Sequence, residues 1–483
     1  MTHLGHIIIA MLAVLYSGDM CAKGGNNISK GTLGRIYDSY KTELKESYNT
    51  KEQDFLDDSA SFRLSKLYDL CRKMPKGSDL HVHGSAMLPA DMLVEFVKDH
   101  PALKVNTKRG KMFGKLEYAA NSTILASDGY VSMQEALAMG FTVDDFEKAW
   151  TLKGSDGARP WDWFNGLFRK MSDLTYDISI EEDYYTRSFE YYIKQGVTHI
   201  EPRLLFFGTH QDALEKARAV YRAQNKARQI NPEFSASIVF CGLKAKTDDY
   251  NKSEYNDELF ENGIFISQNI KDTVAGGADF VVGFDLVNEE DQSIPLTEFE
   301  SLVKHTKEKN PSLHVTLHAG ETTKKSNHEI ASAVSLGAER IGHGFNLHMH
   351  PDMEKTIKRR HITLEVCPIS NKTLGYCTDL IKHPATKYIQ DGLDVALGDD
   401  DPAYQMRSSL VDDVFVAAAL WNLSLDDMKE LFKKSITSSF LPKERKKALM
   451  KEWERQWECF EKETIRKYKQ ESQSICSAHY FFL

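Results

Sequence analysis

Asp79-Leu-His-Val-His83 is where the chain changes rhythm. Before it, residues 26–74 are polar and helical in pattern, with Tyr37, Tyr40, Leu44 and Tyr48 at helical spacing. From Asp79 onward, short β-branched and apolar runs alternate with longer helical stretches. The runs are Asp79–His83, Val197–Pro202, Ser235–Cys241, Asp279–Leu286, Leu313–His318, Arg340–His343, Ile362–Cys367 and Leu393–Gly398. Helical patterns at Gln211–Arg228, Asp257–Ala275, Leu296–Lys309, Asn327–Leu336 and Asp352–Arg360 lie between them. Strands alternating with helices argue for parallel βαβ units, and eight such units argue for a closed barrel. The expected fold is α/β: a (β/α)8 TIM barrel with an N-terminal helical extension and an insertion between strands one and two. The alternative is an open doubly wound sheet, but no G-x-G-x-x-G follows a strand, so no dinucleotide fold is indicated.

The expected organisation is a leader over residues 1–22, a helical arm over 23–74, the barrel over 75–469 and a tail over 470–483. Strands one and two are separated by far more chain than a simple crossover needs, so residues ~100–160 read as an insertion over the barrel mouth. Pro160-Trp-Asp-Trp-Phe164 closes that insertion. Leu449, Trp453, Trp457 and Phe460 share one helical stripe near the C-terminus, suited to packing on the barrel exterior.

Bulk properties narrow the function. With 483 residues and a 41% hydrophobic fraction, the chain can bury a large core. Its net charge of −9 and lack of a basic block exclude a nucleic acid polymer as partner. The basic run Lys355–Arg360 reads as a solvated helix face. Ile7–Tyr16 is an apolar run too short to span a bilayer and suited to a signal-peptide core, so secretion is expected and a membrane span is not. Seven cysteines lack framework spacing. N-x-S/T triplets begin at Asn27, Asn121, Asn251, Asn371 and Asn422, compatible with a glycoprotein.

The polar residues on the strands carry the chemistry. His81 and His83 sit at i and i+2, on one face of strand one. His318 ends strand five in His318-Ala-Gly-Glu321, His343 ends strand six in Gly342-His-Gly344, and Asp399, Asp400 and Asp401 end strand eight. Barrel enzymes place their chemistry at this end. Imidazoles with a carboxylate suit Zn²⁺, which lowers the pKa of a bound water towards ~7. Glu321, three residues past His318, faces the same cavity and, if kept protonated, is a general acid. His343 is a candidate base.

Met74-Pro-Lys-Gly-Ser-Asp-Leu-His-Val-His83, His318-Ala-Gly-Glu321, Arg340-Ile-Gly-His-Gly-Phe345, Glu365-Val-Cys-Pro-Ile-Ser-Asn371 and Asp400-Asp-Pro402 together resemble the secreted adenosine deaminases, also called adenosine-deaminase-related growth factors. The resemblance implies a zinc-dependent hydrolase of a purine nucleoside, converting adenosine to inosine and ammonia. It implies one zinc per chain on His81, His83, His318 and Asp400, with Glu321 protonating purine N1. His343 and Asp400 then hold and deprotonate the attacking water, and Asp401 meets purine N7. It implies that the N-terminal arm makes a homodimer, and it admits a cell-surface receptor or glycan as a partner. By position, Trp161 resembles a tryptophan that approaches the substrate. Two departures concern the substrate. Gly84-Ser85 stands where the family carries an aspartate for the ribose, with Glu201 as a candidate replacement, and Asn288 stands where a glycine meets purine N3. The rival readings are a deaminase of a modified purine nucleoside such as methylthioadenosine and a secreted growth-factor-like binding protein with a dead site. No metal ligand or acid is missing, which favours catalysis.

Overall fold

The computed structural model describes residues 25–47, 59–119, 128–152, 160–175, 177–245, 252–405 and 409–480; the expected leader and the sequons at Asn121 and Asn251 lie outside them. Eight strands follow one another in parallel order: β1 Gly77–His83, β2 Val197–Leu204, β3 Ile238–Leu243, β4 Val281–Val287, β5 His314–Ala319, β6 Arg340–His343, β7 Thr363–Val366 and β8 Val395–Leu397. Each of the expected runs overlaps its strand, and five of the eight strands extend one or two residues beyond the run. Ser235–Cys241 is split: Ser235–Ala236 pairs with β2 at His199 and Ile200, and Ile238 begins the ladder with β4. β4 is buried at every position, as a strand covered on both faces must be.

The ring closes between its first and last strands. Val82 bridges Asp400 in parallel, and the His83 N–H donates to the Asp400 carbonyl while the Asp400 N–H donates to the His81 carbonyl, both at 2.9 Å. In the ladders around β6, Gly342 lies opposite His318 on one side and Glu365 on the other, so one layer of the ring carries both.

The helices form the outer wall, and their starts are chemically marked. Thr209 caps His210–Ala227 through a reciprocal pair with Asp212, and Pro351 opens Pro351–Arg360. Between β1 and β2 the chain builds a three-stranded antiparallel sheet from Leu103–Asn106, Leu116–Tyr118 and Tyr130–Ser132, with helices Val143–Trp150 and Pro160–Lys170 after it. Helix Gly25–Ser47 buries Leu33, Ile36, Tyr37, Tyr40 and Leu44, and the Tyr37 hydroxyl donates to the Ala418 and Leu423 carbonyls. Its apolar face is therefore covered by its own chain. Helix Lys443–Tyr480 buries Leu449, Trp453, Trp457 and Phe460, and the Trp453 indole donates to the Pro75 carbonyl just before β1. No helix of the described residues is long and apolar enough to cross a membrane.

One buried acid sits in the helical wall, away from the charge pairs. Glu181, in the first turn of Ile178–Lys194, has no hydrogen-bond partner for Oε2 among the described residues. Burial pushes its carboxyl from the ordinary 4.5 up to about 8, with Lys216 pulling it down less strongly. The unfolded chain releases this proton near 4.5 and the fold holds it to about 8, so the folded state binds more protons in that window and stability falls as pH rises through it. Glu181→Gln is expected to remove that slope. It should raise the melting temperature by roughly 2–4 °C or more at pH ~8 and little at pH ~5, read by calorimetry; an equal shift at both pH values would contradict this account.

Candidate functional site

Six of the expected residues converge at the C-terminal rim of the barrel. Ligand atoms of His81, His318, His343 and Asp400 lie within 4.8 Å of one another, and His83, Asp400 and Asp401 form a second such group. Asp400 belongs to both: its Oδ1 is 3.3 Å from His81 Nε2 and 3.2 Å from His83 Nε2. The rings are close neighbours, with centroids 4.7 Å apart for His81 and His318 and 5.2 Å apart for His83 and His318. Gly342 makes the room: a Cβ there would lie 2.9 Å from His81 Cε1 and 3.2 Å from His318 Nδ1.

Two carboxylates turn these rings outward. Glu365 Oε2 meets His81 Nδ1 at 2.8 Å, and Asp285 Oδ2 meets His318 Nδ1 at 2.8 Å. A carboxylate on Nδ1 holds the proton there and leaves the Nε2 lone pair free. Arg203 bridges the two acids, donating to Asp285 Oδ2 at 2.8 Å, to Glu365, and to the Leu80 carbonyl at 2.8 Å. Arg340 donates to Glu365 Oε1 and to Glu201 Oε2, each at 2.6 Å. Sequence reading assigned no role to Asp285, Glu365, Arg203 or Arg340. A signal for the two acids was present: a single acid inside an otherwise apolar buried strand must be paired.

The donor set fits a divalent ion. His81 Nε2 and Asp400 Oδ1 are buried without a hydrogen-bond partner among the described residues, an unfavourable state unless something else satisfies them. Burial lowers His318 to about 3, so its imidazole is neutral and able to ligate. Burial opposes ionisation of Asp400, but the close imidazoles of His81, His83 and His343 hold it well below the usual carboxylate range. The group is nitrogen and oxygen only, the set that zinc accepts.

Glu321 lies beside this cluster, its Oε1 unpartnered and 3.6 Å from His343 Nε2. Burial, then the charges of Asp400 and Glu290, push its carboxyl well above the usual range, so it carries a proton. Its backbone is fixed by Glu290, whose two oxygens accept from Gly320 N–H at 2.9 Å and Glu321 N–H at 3.1 Å. Asp401 is also buried with an unpartnered Oδ1, and burial and Asp400 raise it well above the usual range. Asn288, His343 and Asp400 hold positive φ values of 108°, 63° and 61°, which non-glycine residues adopt at a cost of order 1–3 kcal/mol each.

The expected substrate contacts fare unequally. Trp161 donates from its indole to the Tyr376 hydroxyl at 2.6 Å and packs edge-on against Phe164 at 5.1 Å. Asn288 takes a glycine-like backbone at the end of β4, and its Oδ1 accepts from the Glu289 N–H at 2.6 Å. Glu201 is not available to a sugar. It is fully buried inside the barrel, bonded to Arg340, to His199 at 3.1 Å and to the Phe440 N–H at 2.6 Å. Nor does Gly84 merely lack a side chain: a Cβ there would meet Leu204 Cδ2 at 2.1 Å and the Tyr185 hydroxyl at 2.8 Å.

The chain is similar to known proteins in sequence and fold. The family model described as Adenosine deaminase matches residues 261–455. Adenosine deaminase 2-A of Danio rerio is 27% identical over 424 residues, covering 81% of each chain. Adenosine deaminase 2 of Homo sapiens is 26% identical over 451 residues, covering 86% of this chain and 85% of its own. Among solved structures, adenine deaminase from Arthrobacter aurescens superposes with a TM-score of 0.55 at 19% identity, over 79% of this chain and 98% of its own. N6-methyl-AMP deaminase from Arabidopsis thaliana does so with a TM-score of 0.58 at 16% identity, over 80% and 98%. These structures share the fold.

The carboxylates behind the histidines generate a test of the metal centre. Asp285→Asn removes the negative charge that keeps the proton on His318 Nδ1 while leaving Arg203 its bond to Glu365. Metal affinity, measured by competition with a chromophoric chelator, is expected to fall about 10–100-fold, with the circular dichroism spectrum retained. Unchanged affinity would exclude Asp285 as the group that orients His318.

Proposed function

We infer that the chain belongs to the adenosine deaminase family, and we propose that it hydrolyses the 6-amino group of adenosine, and of 2′-deoxyadenosine, to give inosine-type products and ammonia. The observation that carries this reading is the pairing of two carboxyls in opposite states within one cluster. Glu321 is held protonated beside His343, and Asp400 is held ionised between His81 and His83. A neutral acid next to an ionised one is what attack on an electron-rich ring requires: one group supplies a proton to the ring nitrogen, the other receives one from water.

One zinc ion on His81, His83, His318 and Asp400, when bound, supplies Lewis-acid activation of water. The remaining chemistry belongs to the side chains. Glu321 gives its proton to purine N1, which makes C6 electrophilic. Asp401, protonated in this site, donates to purine N7 and fixes the ring. Asp400 accepts the proton lost by the attacking water. Trp161, Tyr376 and Phe164 form an aromatic wall suited to a flat ring. Export of the chain, glycosylation, dimerisation through the N-terminal arm and binding to a surface receptor belong to the same reading.

The test is absorbance-monitored turnover on adenosine, 2′-deoxyadenosine, methylthioadenosine and AMP, with and without chelator. Glu321→Gln is expected to keep the metal and to lose about 10²–10⁴-fold in turnover, because an amide cannot deliver the N1 proton. A near-wild-type rate would remove Glu321 from the chemistry. With Gly84 closed to a side chain and Glu201 committed to Arg340, the sugar is expected to be read weakly. Specificity constants for adenosine and 5′-deoxyadenosine should differ by less than about tenfold, and a larger gap would reveal a sugar contact elsewhere.

A further inference from the structure

Behind His343 runs a chain of hydrogen bonds whose polarity is set at its far end. The backbone N–H of Ala385 points at His383 Nδ1, 3.2 Å away. A backbone N–H is always a donor, so His383 Nδ1 is the acceptor and its proton resides on Nε2. That Nε2 faces Asn371 Oδ1 at 3.0 Å, so the amide oxygen is spent on His383 and the amide nitrogen is turned to His343 Nδ1 at 3.3 Å. Exchanging the two amide atoms would set N–H against N–H at His383. His343 Nδ1 therefore accepts, and the proton of its neutral ring lies on Nε2, facing Glu321 Oε1 at 3.6 Å and Asp400 Oδ2 at 4.0 Å.

We propose that Asn371 and His383 are positioning residues that lock His343 in its Nε2–H tautomer, making it a hydrogen-bond donor into the site and excluding it both as a metal ligand and as the base. His81 and His318 are wired in the opposite sense, since each Nδ1 faces a carboxylate acceptor and each Nε2 presents a lone pair. Coordination through His343 Nε2 would require a proton on Nδ1, directed at the Asn371 N–H. Protonation to imidazolium meets the same clash. The lock thus decides between the two overlapping groups around Asp400 and leaves His83, not His343, to complete the ligand set. It also divides the work on water: the His343 Nε2–H donates to the water oxygen, and the proton of the water goes to Asp400.

The surroundings keep the lock shut. His383 is buried, stacked at 25° on Trp421 with centroids 5.3 Å apart, and burial lowers it to about 3, so it stays neutral and its Nδ1 stays an acceptor. Asn371 is fully buried and its backbone is fixed, the main-chain N–H donating to the Cys367 carbonyl and the main-chain carbonyl accepting from the Cys377 N–H, while its side-chain amide is held between His383 and His343. A glycan on this sequon is incompatible with the folded site.

The division of labour rests on the deaminase reading, but the tautomer does not, and the two are read separately. In the metal-loaded protein labelled with ¹⁵N-histidine, with His343 assigned by comparison with His343→Gln, the Nε2 of His343 is expected to be protonated and Nδ1 bare, with no substrate present. Asn371→Asp replaces the donor by an acceptor and is expected to reverse the pattern. It should lower kcat on adenosine about 10²-fold or more while KM changes by less than about threefold. A proton on Nδ1 of His343 in the wild-type protein overturns the proposal, and so does an Asn371→Asp protein with unchanged tautomer or rate. If Asn371→Asp does not fold, the wild-type spectrum alone decides. Absence of turnover on every purine nucleoside would count against the deaminase reading and leave the spectrum to judge the lock.

Discussion

The backbone seam between β1 and β8 is the constraint on which the site depends. Two hydrogen bonds of 2.9 Å join His83 to Asp400 and Asp400 to His81, and they bring the HxH strand beside a carboxylate from the other end of the barrel sequence. The strands approach so closely that a Cβ on Gly398 would lie 2.7 Å from His81 Cβ. Asp400 takes a φ of 61° to reach this position, a conformation that persists only when neighbours over-determine it. The two seam bonds do so, and both His81 and His83 then find the same carboxylate oxygen.

Below the rim, the barrel interior carries an ionic column in addition to branched aliphatics. His199, Glu201, Arg203, Asp285, Arg340 and Glu365 are all essentially excluded from solvent. The column begins at the Phe440 N–H and at the Phe440 ring, which lies 3.6 Å from the Arg340 guanidinium carbon, and it ends on the Nδ1 atoms of His81 and His318. Buried ion pairs of this kind are poor sources of stability, because desolvation offsets most of their attraction. Their value here is geometric. A planar guanidinium with fixed donor directions sets two carboxylates, and the carboxylates set two rings.

The same economy of position separates the acids of the rim. Glu321 and Asp400 are both buried, yet their surroundings push one carboxyl above the usual range and the other below it. Burial raises Glu321, and its acidic neighbours Asp400 and Glu290 raise it further. Asp400 faces His81, His83 and His343 instead, and they overcome the same burial. The difference lies in which groups each carboxyl faces, and the turn that aims Glu321 is held by the two oxygens of Glu290.

The sequence by itself determined the barrel and the identity of its reactive rim. Period-two spacing put His81 and His83 on one face, and His318, Glu321, His343, Asp400 and Asp401 were visible because each ends or follows a strand, where barrel chemistry collects. Strand positions were legible because runs such as Val281–Val287 are apolar apart from one acid, Asp285, although several strand ends lay one to three residues from where the pattern put them. Tertiary structure alone decided what those residues face. Glu201 looked like a free acid at a strand end and proved to be the partner of Arg340, because strand pairing turned it into the interior. Gly84 looked like a lost aspartate and proved to be closed by Leu204 and Tyr185, residues of β2 and of the helix before it. In the sequence Asn371 stood out only as the end of a motif and the start of an N-x-T triplet, and His383 carried no signal; only folding laid them end to end behind His343. Local pattern fixes which way a side chain leaves its strand; the hydrogen-bond partner that settles its proton comes from a distant part of the chain, and only the closed barrel brings it there.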